Sequence, residues 1–224
     1  PDMQLFYREK GIDTHPPLII LHGLWGASDN WLPVADLLSH RFHVILPDLR
    51  NHGCSPHSSL FDYTILSQDT EELIGRLNLP QRPFLAGHSL GGKTLMHLVL
   101  KRPEIVEKAA IIDICPQAYT LDRQTMHRSL SEYILTTPLQ NFHRRQEIHR
   151  AVREYFSTEE EVQILLKNIR KTPQGYEWKV NAKAIRENFV AHAAPGPLGR
   201  RLGGISVGKG ERLAHVLRII RAAV

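Results

Sequence analysis

A serine with a glycine two positions before it and another two positions after it is the feature that most constrains how this chain folds. The pentapeptide is Gly87-His88-Ser89-Leu90-Gly91, and it follows the short apolar run 83–86. Helical periodicity then continues to Arg102, and Pro103 ends the pattern. A strand that turns sharply into a helix at a serine exposes the hydroxyl, and small flanking residues let strand and helix approach. We predict a nucleophile elbow with Ser89 as the nucleophile, and a plain Gly-Ser turn is the alternative interpretation.

Apolar runs alternate with helical patterns through the first half of the chain. Continuous apolar runs are typical of parallel strands that are covered on both faces; they occur at 18–21, 43–46, 84–86 and 109–112. Helical patterns separate them, at 30–38, 62–77 and 92–101. Helices between parallel strands predict right-handed crossovers, and therefore an α/β fold with a mostly parallel, doubly wound sheet.

The pattern changes to helix after helix from about residue 117 to residue 189. One of these helices is predicted to begin at Thr158, where a threonine followed three residues later by Glu161 forms a capping box. We predict a core over residues 1–116, an inserted helical cap over 117–189 and an atypical C-terminal segment over 190–224.

The chemistry of a serine nucleophile predicts where its partners lie. Ligands of such sheets bind outside the carboxyl ends of the strands, where Gly23, Ser89 and Asp113 fall. Acyl transfer needs N–H donors for the tetrahedral oxyanion, and the backbone N–H groups of Leu24 and Leu90 are predicted to supply them. Trp25, in the same loop as Leu24, is predicted to contact the substrate. A plain strand-to-loop turn is the other interpretation of this loop.

Charge and cysteine content narrow the function classes further. The formal net charge is +5, but residues 193–224 contain six basic residues and one acidic residue, which leaves 22 of each sign before them. The body of the protein is therefore neutral, and we expect no nucleic-acid partner. Cys54 and Cys115 are not clustered, which indicates reduced thiols, a cytoplasmic location and no metal site. No apolar run reaches the roughly 18 residues that span a bilayer, so no membrane association is expected.

Four segments together resemble the α/β-hydrolase family and, more narrowly, the small YbfF-type carboxylesterases and their abhydrolase-domain mitochondrial relatives. The segments are His22-Gly23-Leu24-Trp25-Gly26, Asp48-Leu49-Arg50-Asn51-His52-Gly53-Cys54-Ser55, Gly87 to Lys93, and Ile112-Asp113-Ile114-Cys115-Pro116. The likeness covers about residues 5–189 in order. It implies an α/β-hydrolase fold with a helical cap, no cofactor, and a structural role for Asn51 and His52.

The resemblance also implies an acid at Asp113, after the strand that follows the nucleophile helix. Many members place the acid after a later strand, but this chain has no aspartate beyond Asp122. Such an acid holds the tautomer of the catalytic histidine. A buried aspartate that caps the entry to the cap is the alternative.

The family places its catalytic histidine after the last strand, and that position here reads Gly204-Ile205-Ser206, without a histidine. His192 and His215 are the remaining candidates. The family also has two further strands and a helix before this point, so we expect the last strands of the sheet to be lacking. An internal deletion, a frameshift or a splice form would explain the difference.

The function expected from these residues is hydrolysis of short-chain acyl esters or thioesters through an acyl-enzyme on Ser89. Two alternatives stay open. One is a catalytically impaired chain that acts at most as a binding module, and the other is a carbon–carbon-bond hydrolase or a cofactor-biosynthesis relative of the same fold. The sequence leaves the oligomeric state undetermined.

Overall fold

A computed structural model describes residues 3–114, 121–189 and 205–208, and its main feature is a six-stranded sheet. The spatial order of the strands is β1-β3-β2-β4-β5-β8. β1 pairs antiparallel with β3, and the other neighbours pair in parallel. The strands span Tyr7–Lys10 (β1), Pro17–Leu21 (β2), His43–Pro47 (β3), Phe84–His88 (β4), Lys108–Ile112 (β5) and Ile205–Gly208 (β8). The mostly parallel sheet predicted from the apolar runs is confirmed.

Helices cover both faces of the sheet, as the uninterrupted apolar strands require. In β2, Ile19 and Leu21 pack on one face and Leu18 and Ile20 on the other, and all four are fully buried. The first face is covered by α2 (Tyr63–Leu77) and α3 (Leu90–Lys101). The second is covered by α1 (Leu32–Leu38) and the 3-10 turn Ser28–Trp31.

A mixed segment follows β5 along the chain, and we call residues 121–189 the insert. It contains α4 (Leu121–Thr136), α5 (Arg145–Tyr155), α6 (Glu159–Lys167) and α7 (Ala182–Phe189). α6 begins as predicted, because the Thr158 side chain accepts a hydrogen bond from the Glu161 N–H. Between α6 and α7 lies an antiparallel hairpin, β6 (Ile169–Thr172) and β7 (Gly175–Trp178). This hairpin is not predicted by the sequence pattern; Gly175, at φ +126°, allows its tight turn.

One edge of the sheet is formed by β8, which lies beside β5, with Ile205 opposite Ala109 and Gly208 opposite Ile112. The strands expected to be lacking would precede β8, between residues 189 and 204, and that segment lies outside the described residues. Four residues of Ile, Ser, Val and Gly form too short a pattern to be recognised as a strand from sequence. Pairing with the buried strand β5 supplies the hydrogen bonds that stabilise it.

Candidate functional site

Ser89 lies at the junction of β4 and α3 in a strained backbone conformation. Its φ of 49° and ψ of −109° are unfavourable for any residue with a side chain. Its N–H donates to the carbonyl oxygen of Ile112 on the neighbouring strand, at 3.1 Å. The serine lines a cavity of about 300 Å³ between the sheet and the insert. The backbone conformation at this junction therefore places the Ser89 side chain at the cavity.

The two glycines around Ser89 are required by close backbone contacts. A Cβ on Gly87 would lie 2.5 Å from the carbonyl oxygen of Gly91. A Cβ on Gly91 would lie 2.4 Å from the carbonyl oxygen of Leu21, and the Gly91 N–H donates to the His22 carbonyl at 3.1 Å. Strand β4, helix α3 and the end of β2 can meet only because neither position has a side chain.

The loop after β2 runs beside Ser89. A Cβ on Gly23 would lie 3.4 Å from the Ser89 Cβ, and the Gly26 N–H donates to the Gly23 carbonyl at 3.0 Å to close a turn. Leu24, one of the two residues predicted to donate to an oxyanion, lines the same cavity as Ser89. Leu90, the other, is the first residue of α3, where backbone N–H groups have no acceptor within the helix.

Two buried histidines hold this loop in place. The His22 Nδ1 lies 2.8 Å from the Gly23 carbonyl oxygen, while its Nε2 accepts from the Leu49 N–H at 2.9 Å. The His52 Nδ1 lies 2.9 Å from the Arg50 carbonyl, and its Nε2 accepts from the Trp25 N–H at 3.3 Å. Each ring therefore carries its proton on Nδ1, where it donates to a carbonyl.

Burial favours the neutral form of both rings. It lowers the pKa of His22 and lowers the pKa of His52 to about 3, because neither charged ring would be solvated. Neutral, fully bonded imidazoles support a backbone and are unsuited to exchanging protons with a substrate. This geometry matches the structural role that the family resemblance implies for His52.

Asn51 and its loop connect the core to the insert. The Asn51 Oδ1 accepts from the Ser58 N–H at 2.7 Å and from Asn181 Nδ2 at 3.1 Å. The Asn181 N–H also donates to the Asn51 carbonyl, at 2.9 Å. Asp48 braces the same loop, since its carboxylate accepts from the Ser28 and Cys54 N–H groups. The loop after β3 is thus a scaffold for the site.

Asp113 lies just past the end of β5, at a φ of 53°. Its Oδ2 is 3.8 Å from the Nε2 of His88, and the two side chains are 27% and 36% exposed. His88 lines the cavity together with Ser89. The structure therefore places the predicted acid at the same edge of the sheet as Ser89, with part of its carboxylate accessible.

Trp25 is the point where the insert contacts the core loop. Its φ is 64°, and its side chain is almost completely buried. Its carbonyl accepts from Asn168 Nδ2 at 2.7 Å, and its indole Nε1–H donates to His127 Nδ1 at 2.9 Å. Neither His127 nor Asn168 was identified from the sequence, because no local spacing links them to a loop more than a hundred residues earlier.

Three residues considered from the sequence cannot be located relative to this site. His192, His215 and Cys115 lie outside the described residues. Cys54 is an exposed free thiol. Among the residues that the structure describes, no group of histidine, cysteine, aspartate or glutamate side chains could hold a metal ion. Within the same residues, no helix combines the length and apolar character needed to cross a membrane.

Comparisons with known proteins agree with this architecture. The family model for the alpha/beta hydrolase fold matches residues 16–179. The chain is 33% identical over 185 residues to the sn-1-specific diacylglycerol lipase ABHD11 of Xenopus tropicalis, covering 78% of this chain and 56% of the relative. It is 28% identical over 176 residues to Esterase YbfF of Escherichia coli strain K12, covering 79% of this chain and 66% of that one.

A solved structure of a marine microorganism esterase has a TM-score of 0.83 at 28% identity, covering 98% of this chain and 96% of the other. The chain spans about half the length of the first curated relatives that it matches, such as the Xenopus lipase. Both the fold class and the resemblance predicted from the sequence are confirmed.

Proposed function

The chain belongs to the α/β-hydrolase fold family, and from that membership we propose that it is a serine hydrolase of short-chain acyl esters or thioesters. The observation that carries the proposal is the strained conformation of Ser89, at φ 49° and ψ −109°, beside the cavity. Backbone strain of this kind persists where the surrounding structure maintains it, and it concentrates at active sites. The esterase and lipase names of the relatives support the reaction class.

In the proposed mechanism the Ser89 Oγ attacks the ester carbonyl and forms a covalent acyl-enzyme. The backbone N–H groups of Leu24 and Leu90 stabilise the tetrahedral oxyanion, and one such donor contributes about 3 kcal/mol in the transition state. The base takes the serine proton and gives it to the leaving alcohol or thiol. Water then attacks the acyl group while the base accepts a proton from that water. The bond between the acyl carbon and the Ser89 Oγ breaks, the base returns the proton to Oγ, and the carboxylic acid is released.

Asp113 is proposed to orient the base, which we place at His192 or His215. An aspartate in this role fixes the tautomer of the imidazole and stabilises the imidazolium that forms. The partial exposure of its side chain leaves room for a ring from another part of the chain. Replacing each histidine with alanine separately tests the assignment, since loss of the base lowers kcat by about 10⁴ to 10⁶-fold, as much as loss of the serine with which it acts. Unchanged rates in both variants would reject both candidates.

The test of the nucleophile compares Ser89→Ala with wild type on p-nitrophenyl butyrate. We expect a loss of about 10⁴ to 10⁶-fold in kcat, because the serine and its base act as a unit. The matched control is Ser157→Ala, an exposed serine in the connection between α5 and α6. A fluorophosphonate should phosphonylate wild type and the control, with loss of fluoride, but not Ser89→Ala, and mass spectrometry detects the added phosphonyl group.

Equal hydrolysis by wild type and Ser89→Ala, with no fluorophosphonate adduct, would contradict the proposal. That outcome would favour the catalytically impaired alternative, in which the same cavity only binds ligands.

A further inference from the structure

Two cavities share one pair of lining side chains. The cavity that contains Ser89 has a volume of about 300 Å³. A second cavity of about 510 Å³ lies within the insert, where Tyr155 and Ile185 are among its lining residues. Trp25 and His127 line both cavities. The indole and the imidazole therefore border both spaces, and we call this shared pair of side chains the wall.

Hydrogen bonds from several parts of the chain hold the wall in place. The Trp25 Nε1–H donates to His127 Nδ1 at 2.9 Å, and these residues are only 3% and 7% exposed. Because an indole only donates, His127 must present the lone pair of Nδ1 to it. The Trp25 backbone is fixed at both ends, by His52 Nε2 at its N–H and by Asn168 Nδ2 at its carbonyl. The backbone of Trp25 is therefore held independently of its bond to His127.

Because the Ser89 cavity is small, the wall affects which substrates the site can hold. A volume of about 300 Å³ lies at the lower end of the range for small-molecule sites. A longer chain on the substrate needs additional space, and the larger of the two cavities is lined by the same Trp25 and His127. Apolar surface buried there would add binding energy for each further methylene.

We propose that the hydrogen-bonded pair Trp25–His127 is a partition that sets chain-length specificity, and that its removal joins the two cavities and admits medium- and long-chain esters. The proposal rests on the proposed function, because it assigns the length limit to the hydrolytic site at Ser89. Trp25 and His127 act as specificity-determining residues, and neither takes part in proton transfer.

The experiment measures kcat/KM for p-nitrophenyl butyrate and p-nitrophenyl octanoate. In His127→Ala the octanoate-to-butyrate ratio should rise about tenfold over wild type, because the space left by the imidazole joins the cavities. His127→Gln should stay near the wild-type ratio, since its amide oxygen can accept from the indole. The matched control His149→Ala removes a histidine from α5 that lines neither cavity, and its ratio should not change.

A refilling variant separates the partition from a general loosening of the insert. Ser129 lines only the second of the two cavities, so Ser129→Trp in the His127→Ala background should return the ratio to the wild-type value. A ratio in His127→Ala within twofold of wild type, with both proteins folded by circular dichroism, would overturn the proposal. If His127→Ala does not fold, Trp25→Phe tests the same wall, because it removes the indole N–H while keeping a ring.

A binding measurement keeps the proposal testable even if the chain hydrolyses nothing. Calorimetry with octanoate and dodecanoate should show a preference for dodecanoate in His127→Ala that is about tenfold greater than in wild type. If wild type neither hydrolyses butyrate nor reacts with fluorophosphonate, the proposed function fails, and this binding difference still decides the partition. Equal preference in the two proteins would overturn it.

Discussion

Left-handed backbone conformations follow each of the four parallel strands β2 to β5. Trp25, Asn51, Ser89 and Asp113 have φ between 49° and 66°, and none of them is glycine. Non-glycine residues with a positive φ are uncommon, and such a conformation persists only where surrounding contacts maintain it. The strain therefore lies at the carboxyl edge of the sheet, where ligands of α/β sheets bind. At the scale of single residues, the site is defined as much by backbone conformation as by side-chain chemistry.

Replacing Ser89 with glycine should separate backbone strain from side-chain chemistry. Glycine adopts a positive φ at little cost, so Ser89→Gly should be about 1 kcal/mol more stable than Ser89→Ala, which keeps the strain. Both variants should lose hydrolysis equally. Urea denaturation of the two proteins measures the difference, and equal stabilities would show that the conformation stores no strain.

Gly91→Ala should destabilise the protein by about 1 to 3 kcal/mol, because the new methyl group meets the Leu21 and His22 carbonyl oxygens at 2.4 and 2.8 Å. Gly75→Ala is the matched control: no atom lies within 4 Å of its Cβ, and it is inside helix α2. We expect the control to raise stability by about 0.5 to 1 kcal/mol. Denaturant midpoints that fall for both variants, or for neither, would contradict this explanation.

At the scale of elements, the connection between β3 and α2 depends on one buried ion pair. The guanidinium of Arg50 donates through Nε and Nη2 to both carboxylate oxygens of Asp69, at 2.5 and 2.6 Å. Burial raises the pKa of the Asp69 carboxyl, and the guanidinium opposes that rise. The pair fixes the loop that carries Asn51 and His52 onto a helix of the core. The position of the loop after β2 therefore depends indirectly on this ion pair, because His52 Nε2 accepts from the Trp25 N–H.

Arg50→Met should lower the free energy of unfolding by about 3 to 5 kcal/mol, because it leaves the Asp69 carboxylate buried without its partner. The double variant Arg50→Met/Asp69→Leu should recover most of that loss, since no charge then remains buried. Chemical denaturation of the three proteins tests the difference. A double variant as unstable as the single one would show that packing, and not the unpaired charge, is responsible.

At the scale of the whole molecule, two buried neutral histidines make stability depend on pH. The pKa of His22 and the pKa of His52 are both lowered by burial, the latter to about 3, whereas an unfolded histidine titrates near 6.5. The unfolded state therefore binds more protons between these values, and stability is fully present above about 6.5 and decreases as pH falls.

Between pH 7 and pH 5.5 His52 should reduce the free energy of unfolding by about 1 kcal/mol, and His22 should reduce it in the same direction. His52→Asn should remove its share of this pH dependence, whatever its effect on stability at pH 7. His143→Asn, an exposed histidine, should leave the pH dependence unchanged. Urea denaturation at the two pH values measures how the stability of each protein depends on pH. A wild-type protein that is equally stable at both pH values would contradict the explanation from buried histidines.

The local sequence pattern was sufficient to predict the central strands of the sheet and the turn from β4 into α3. Uninterrupted apolar runs predicted β2, β3, β4 and β5, because both faces of these strands are buried. The serine between two glycines predicted the turn from β4 into α3, because the close contacts there exclude side chains. β1 was missed, since its residues Tyr7–Lys10 are mostly exposed and give no apolar run.

The sequence by itself determined strands β2 to β5 and the strained turn at Ser89, because short-range periodicity and glycine placement depend on neighbours along the chain. It also indicated the family, through the resemblance of four short segments. Only the tertiary structure decided that His127 and Asn168 meet Trp25, that His88 faces Asp113, and that β8 pairs with β5. These contacts join residues that are distant in sequence, and packing of the insert on the core brings them together. The wall shared by the two cavities therefore follows from the fold, and no local pattern encodes it.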